Sequence, residues 1–389
     1  MSLPMRILYF SRDYTPHDHR FLTSLAGTEH EIFYLRLEQR GPQLEDRPLP
    51  APVKIVSWAG GKRPVSWRDG LRLLASLKRV LDAVKPDLIH AGPVQTAGLL
   101  SALSGFHPLV VASWGYDLLL DAERNWLWRQ ATRVTLRRAD AFIGDCETIR
   151  QKALGYGVPA GKIVTFPWGI DLKAYSPSAD RHPSKSGKGE EKPAASIRSR
   201  LGWDGCFALI STRGWEPIYG IEELARAFVL AARGRQDLRL FMLGTGSLAG
   251  RLREIFLRGG VLERVHFPGQ VGQDDLPCYF RSADLYVSAS HSDGTSISLL
   301  EALATGLPAL VSDIPGNREW VTPGEVGWLF QTGDVEALAE AMREAADSGS
   351  WLDELGWNAR RLAEERADWD LNFRELLHAY ELATSGRPA

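Results

Sequence analysis

At 389 residues the chain is too long for one ordinary hydrophobic core and fits two domains of typical size. Its 46 basic and 48 acidic side chains leave a formal charge of -2, which excludes the global positive field of a nucleic-acid binder, so any anionic ligand must be held locally. Three scattered cysteines, Cys146, Cys206 and Cys278, argue against a disulfide framework or zinc site and for a reducing cytoplasm, and no run approaches the ~18 apolar residues of a membrane span.

Short apolar runs alternate with helical patterns from the start: 6–10, 31–35, 53–56, 87–90, 109–112 and 139–144 read as strands. The clearest helix spans 66–85. There Leu71, Leu74, Leu77, Leu81 and Val84 recur at three- and four-residue steps and mark the expected buried face, with Arg72, Lys78 and Asp82 opposite and Pro86 as the stop. Strand and helix in alternation indicate a parallel sheet covered on both sides. In the first turn, Ser11 to Arg20, His17, Asp18 and Arg20 are candidates for acceptor or phosphate contact, with ordinary helix capping as the alternative. His17 and His19 superficially suggest a metal pair, but no third ligand follows nearby. Further on, Arg129, Arg133 and Arg137 fall four residues apart on one helix face with tryptophans near them, a pattern that suits either an anionic lipid surface or a solvated amphipathic helix.

From 176 to 199 the composition turns to Ser, Lys, Gly, Glu, Pro and Arg, too polar to offset its ordering entropy, and a mobile loop is expected there. The alternation then restarts with strands at 207–211, 238–243, 264–267, 285–288 and 309–312, a second doubly wound domain.

The most informative stretch, 284–308, reads as a strand, a polar turn over 290–296 and a helix. Ligands of open parallel sheets bind beyond the carboxyl ends of the strands, where this turn lies. Backbone amides of Ser296 and Ile297 at the helix start suit a diphosphate, and Asp293 and Glu301 suit the vicinal hydroxyls of a ribose or hexose. Taken alone, the same residues also fit an acidic turn and a solvated helix position. Asp368 and Asp370 imitate a DxD metal motif but open the final helical segment, where acidic residues commonly cap.

The run Asp293 to Pro308, DGTSISLLEALATGLP, resembles the Glu-x7-Glu segment of the family-four retaining glycosyltransferases of the GT-B fold. The resemblance extends to Pro268-Gly269-Gln270-Val271, Asp275-Leu276-Pro277 with Tyr279, 282–285, Pro315-Gly316-Asn317 with Glu319, and Gly169-Ile170-Asp171 after Pro167. It implies an α/β fold of two Rossmann-like doubly wound domains facing each other across a cleft. The implied organisation is an acceptor domain at 1–170, a link at 171–200, a donor domain at 201–368, and a last helix, 369–389, crossing back to the first domain. In such a site Glu301 holds the ribose, Asp293 the donor sugar or its phosphate, and Arg213 the diphosphate. Gly294, Thr295, Ser296, Ile297, Gly269 and Gln270 complete the donor pocket, and Asp117 matches the family's N-domain aspartate.

The departures are as informative. Asp293 replaces the usual glutamate, and Tyr219 stands where a lysine is usual, so a neutral donor replaces a cation. Arg213 has a surface ion pair with Glu216 as its alternative role, Tyr219 simple packing, and Arg318 is a candidate for the missing charge. The glycine pair after the first strand is absent, and Trp114 replaces a histidine. The resemblance implies a UDP- or GDP-linked donor, a glycan, lipid-linked or small-molecule acceptor, same-face transfer, no required metal, no nucleic acid, and a cytoplasmic location at or near the inner membrane face. The rival readings are a non-hydrolysing sugar-nucleotide epimerase and a nucleotide- or glycan-binding pseudoenzyme.

Overall fold

The computed structural model describes residues 3–39, 45–178 and 197–385, so most of the polar 176–199 segment lies outside the described residues. The chain divides into two compact units, Met1–Trp168 with Asp370–Ala389, and Gly169–Trp369.

The N-terminal unit carries a seven-stranded sheet: β1 (Arg6–Ser11), β2 (Glu31–Arg36), β3 (Lys54–Ile55), β4 (Leu88–Gly92), β5 (Leu109–Ala112), β6 (Ala141–Gly144) and β7 (Ile163–Thr165), in the order β3-β2-β1-β4-β5-β6-β7. Every pairing is parallel. Parallel strands need long crossovers, so both faces are covered and both sets of alternate side chains are apolar. Leu8, Phe10, Ile89 and Val111 pack on one side, while Ile7, Tyr9, Val110 and Ile143 are equally buried on the other.

The C-terminal unit repeats the architecture with β8 (Phe207–Ser211), β9 (Leu238–Leu243), β10 (Val265–Gly269), β11 (Leu285–Ser288), β12 (Ala309–Ser312) and β13 (Gly327–Phe330), in the order β10-β9-β8-β11-β12-β13. This sheet too is parallel throughout. Leu209, Leu285, Val287 and Leu310 enter one core, and Ala208, Ile210, Tyr286 and Val311 the other. The strand order reverses between β8 and β11, and in such sheets that switch point is where ligands bind, beyond the carboxyl ends of the strands.

The helix expected over 66–85 is a 3-10 turn, Trp67–Asp69, followed by an α-helix, Gly70–Val84, ending at Lys85 in the left-handed region. Its buried face is largely the expected one: Leu77 and Val84 are buried, Leu74 and Leu81 pack partly buried against the same core, and Arg72, Lys78 and Asp82 are exposed. Leu73 and Val80 join that face, whereas Leu71, in the first turn, is 85% exposed.

Candidate functional site

The loops after β8 and β11 are welded together at the switch point of the C-terminal sheet. His291 N donates to the Ile218 carbonyl at 2.9 Å. Gly220, at φ +58, opens the helix Ile221–Gly234 so close to the Ala289 carbonyl that an added Cβ would stand 2.0 Å from its oxygen. On the other flank, a Cβ on Gly316 would stand 2.3 Å from the Gly294 carbonyl oxygen, so the Pro315-Gly316-Asn317 motif is the wall against which the 293–294 backbone rests. Asn317 Nδ2 donates to the Ser312 carbonyl at 2.8 Å, and Ser312 Oγ to the Ser290 carbonyl at 2.5 Å, which satisfies the buried polar groups of this wall.

Between these walls sits Arg213. Its Nη2 meets Asp293 Oδ2 at 2.6 Å, its Nη1 donates to Ser296 Oγ at 2.9 Å, and its guanidinium lies 4.2 Å from the centre of the Tyr219 ring. The Arg213 side chain is 11% exposed and that of Asp293 23%. Burial works against charge on Arg213, yet Asp293, Tyr286 and Tyr219 hold it further into its charged form. Burial lifts the Asp293 carboxyl above the ordinary range against the pull of Arg213. Around this pair Arg213 Nε, Ser211 Oγ, Thr212 Oγ1 and the Tyr286 hydroxyl are buried with no hydrogen-bond partner. Several such orphans at the mouth of one sheet are costly, and such groups concentrate where a polar ligand completes the set.

Ser296 precedes the helix Ile297–Ala304 without capping it, because its hydroxyl accepts from Arg213. Thr295 and Ser296 are buried, and Glu301, one turn into that helix, is 3% exposed. Gly269 ends β10 and lies two strands from β8; its carbonyl accepts from Gly244 N at 2.8 Å, and Gln270 beside it is exposed. Glu216, the alternative partner of Arg213, instead accepts from Ser247 N at 2.8 Å and Ser247 Oγ at 2.5 Å. Arg318 pairs with Asp313 through Nη2 at 2.8 Å and Nε at 2.5 Å.

Asp117 belongs to the N-terminal unit and is fully buried. Its carboxylate accepts from Ser113 Oγ (2.6 Å), Val94 N (2.9 Å) and Leu118 N (3.0 Å), tying the β5 loop to the turn after β4, while burial pushes its pKa up to about 6. Asp18 closes a capping box with Thr15 at the start of the helix Pro16–Ala26 and accepts from the Tyr9 hydroxyl at 3.1 Å. Trp114 packs edge-on against Phe21 and Trp168, with His17 5.4 Å from its ring. His19 Nδ1 is 2.7 Å from the Tyr14 hydroxyl. Among the described residues no group of three or more His, Cys, Asp or Glu side chains is placed to hold a metal ion. No helix among them is long and apolar enough to cross a membrane.

The family description "Glycosyl transferases group 1" matches residues 207–362, the stretch that holds Arg213, Asp293 and Glu301, and "Glycosyl transferase 4-like domain" matches 17–169. The chain belongs to the group 1 glycosyltransferases. Among curated members, it is 34% identical to phosphatidyl-myo-inositol mannosyltransferase of Mycobacterium leprae over 44% of this chain and 45% of that protein. It is 26% identical to the D-inositol 3-phosphate glycosyltransferase of Paenarthrobacter aurescens over 93% and 90% of the two chains. The chain spans just under half the length of the first curated relatives it matches. In fold, this group 1 glycosyltransferase resembles HepE of Anabaena in complex with UDP-glucose (TM-score 0.77, 18% identity, covering 97% of this chain and 99% of that one). Sucrose-phosphate synthase of Thermosynechococcus elongatus is as similar (TM-score 0.77, 18% identity, 98% and 100% covered), and the shared architecture is GT-B.

The sequence did not single out Ser211, Thr212, Tyr286, Gly220 or Gly316 as parts of one site. Ser211, Thr212 and Tyr286 carry buried polar atoms within or just after otherwise apolar strands, and a polar side chain in such a run is the signal by which a sequence can reveal them. Of the two roles the sequence offers Tyr219, phosphate donor or packing, the structure shows its ring against the Arg213 cation.

Proposed function

We propose that this glycosyltransferase moves a sugar from a nucleoside-diphosphate donor to an acceptor hydroxyl, with the donor held by the C-terminal unit. The observation that carries the reading is the Arg213 clamp: a buried cation fixed by Asp293, Ser296 and Tyr219 at the switch point, beside a helix whose first amides Ser296 does not cap. In this reading Arg213 and the amides of Gly294, Thr295, Ser296 and Ile297 receive the diphosphate, Glu301 the ribose, and Asp293 the donor sugar. Gly269 and Gln270 flank the nucleoside, and Asp117 positions loops of the N-terminal unit. The acceptor oxygen bonds to the anomeric carbon as the bond from that carbon to the phosphate oxygen breaks; the hydroxyl proton passes to the departing diphosphate, on the same face, with retention. Charge develops on the leaving oxygen, where a preorganised donor such as Arg213 contributes about 3 kcal/mol. No metal is assigned a part.

HepE has been seen with UDP and UDP-glucose, and other relatives are named as GDP-mannose-dependent phosphatidylinositol monomannoside mannosyltransferases, which supports a UDP- or GDP-linked donor and a glycan or lipid-linked acceptor. The test is thermal shift with UDP, GDP, ADP and their sugars. A ligand at a hundred times its dissociation constant adds about 2.7 kcal/mol. One nucleotide series should stabilise the wild type and leave Glu301→Ala unshifted but folded; equal stabilisation of both proteins would remove Glu301 from the site. Slow donor hydrolysis without acceptor separates an enzyme from a binding protein.

A further inference from the structure

The helix Trp126–Arg137 buries Ala131, Thr132, Thr135 and Leu136 and turns its first residues outward, with Trp126 67% and Leu127 62% exposed. Leu71 joins them in solvent, and Trp67, in the 3-10 turn before it, is 58% exposed. The Trp67 ring meets that of Trp128 edge-on at 5.7 Å, so side chains some sixty residues apart in sequence belong to one surface of the N-terminal unit. Single exposed apolar residues need no explanation, but two tryptophans and two leucines exposed on two segments joined by that ring contact do.

The charge around them is predominantly positive; at its edge Asp121 faces Arg124, and Glu123, paired with Lys152, faces Arg129. Lys62, Arg63, Arg68 and Arg72 are exposed on one segment, and Arg124 and Arg129 on the other, with the Arg124 guanidinium 5.3 Å from the Trp128 ring centre. Asp69 is the one carboxylate in the sequence 58–72, and it is already engaged by Arg72 at 3.0 Å and Arg63 at 3.6 Å. The sequence 124–133 has none. A chain of net charge -2 therefore concentrates cations at the place where it exposes large apolar side chains.

We propose that this surface docks the N-terminal unit on an anionic lipid bilayer. Trp67, Leu71, Trp126 and Leu127 enter the boundary between headgroups and acyl chains, where indole rings are favoured, and the surrounding arginines and lysine meet lipid phosphates. A protein partner fits less well, since the core of a protein interface is depleted of charge, whereas here each apolar residue has an arginine within two residues of it in the sequence. The basic stripe seen in the sequence contributes only its first member. Arg133 is half-buried, and Arg137 lies at the far end of the helix, roughly 15 Å along the axis from Trp126.

The test is co-sedimentation of the full chain with vesicles of phosphatidylcholine alone or with 30% phosphatidylglycerol, at low and high salt. Binding is expected to the anionic vesicles, weakened by salt, and about tenfold or more weaker in the double variant Trp126→Ser, Leu127→Ser. Leu71→Asp, outside that helix, should weaken it independently. Nucleoside-diphosphate thermal shifts should stay at the wild-type value in all variants, which separates failure here from failure of the donor-site reading and shows that the variants fold. Absence of binding to anionic vesicles, or binding indifferent to both sets of substitutions, overturns the proposal. So does a concentration-dependent dimer that the same substitutions abolish, which would make a second copy the occupant.

Discussion

Replacing Tyr219 probes the clamp at a position where the family resemblance implies a lysine. The ring lies 4.2 Å from a guanidinium that is 11% exposed, so the contact is near the desolvated end of the cation–π range, about 2 kcal/mol. Asp293 and Ser296 still hold Arg213 when the ring is lost, so Tyr219→Leu should forfeit about 1–2 kcal/mol of preorganisation, roughly 5- to 30-fold in nucleoside-diphosphate affinity. Tyr219→Phe keeps the ring and should bind within about twofold of wild type, because in this account the hydroxyl plays no part. Titration calorimetry of wild type, Phe and Leu proteins with the preferred diphosphate reads the difference. If Leu binds as tightly as wild type, the π-face is irrelevant; if Phe falls as far as Leu, the hydroxyl rather than the ring makes the contact.

Asp293→Glu should leave nucleoside-diphosphate affinity nearly unchanged but slow transfer by roughly tenfold, because an added methylene is forced into a site already closed by Arg213, Ser296 and Gly316; equal transfer rates would show that Asp293 does not read the sugar. Gly316→Ala should cost about 1–3 kcal/mol in urea unfolding and weaken the diphosphate as well, since its Cβ displaces the 293–294 backbone; an unaltered midpoint and affinity would refute the contact. In the N-terminal unit, burial lowers His90 to about 3, so the folded form stays neutral where the unfolded chain takes up a proton below about pH 6.5. Stability from this residue is complete above that pH and falls by about 1.4 kcal/mol per unit below it. His90→Phe should therefore regain about 1.4 kcal/mol relative to wild type between pH 7.5 and 5.5; parallel profiles in urea would contradict it.

The strand–helix alternation, both doubly wound sheets and the turn at 290–296 were legible because parallel strands buried on two faces read as continuous apolar runs. Two strands escaped. β7 (Ile163–Thr165) and β13 (Gly327–Phe330) are short strands at the edges of their sheets, and β13 opens on a glycine, which breaks the apolar run. In the helix Gly70–Val84 four of the five expected residues face the core, and Leu71 alone does not, because it sits in the first turn, where the buried face is led by Leu73. The convergence of Arg213 and Asp293, eighty residues apart, could be inferred through family likeness, but the stacking of Tyr219 and the fit of Gly316 against Gly294 are matters of backbone geometry that no spacing encodes.

The helix Trp369–Thr384 brings Tyr380 to His90, their side chains hydrogen-bonded at 2.8 Å inside the N-terminal unit. That unit is thus assembled from the first and last parts of the chain, whereas Gly169–Trp369 is one uninterrupted run. On the ribosome, at ~5–20 residues per second, about two hundred residues are made between the two parts, an interval of roughly 10–40 s. The half translated second is the first whose sequence is complete. Until the last helix emerges, the nascent sheet holds Tyr9 and His90 without their final cover, and that is the window in which a chaperone would meet this chain.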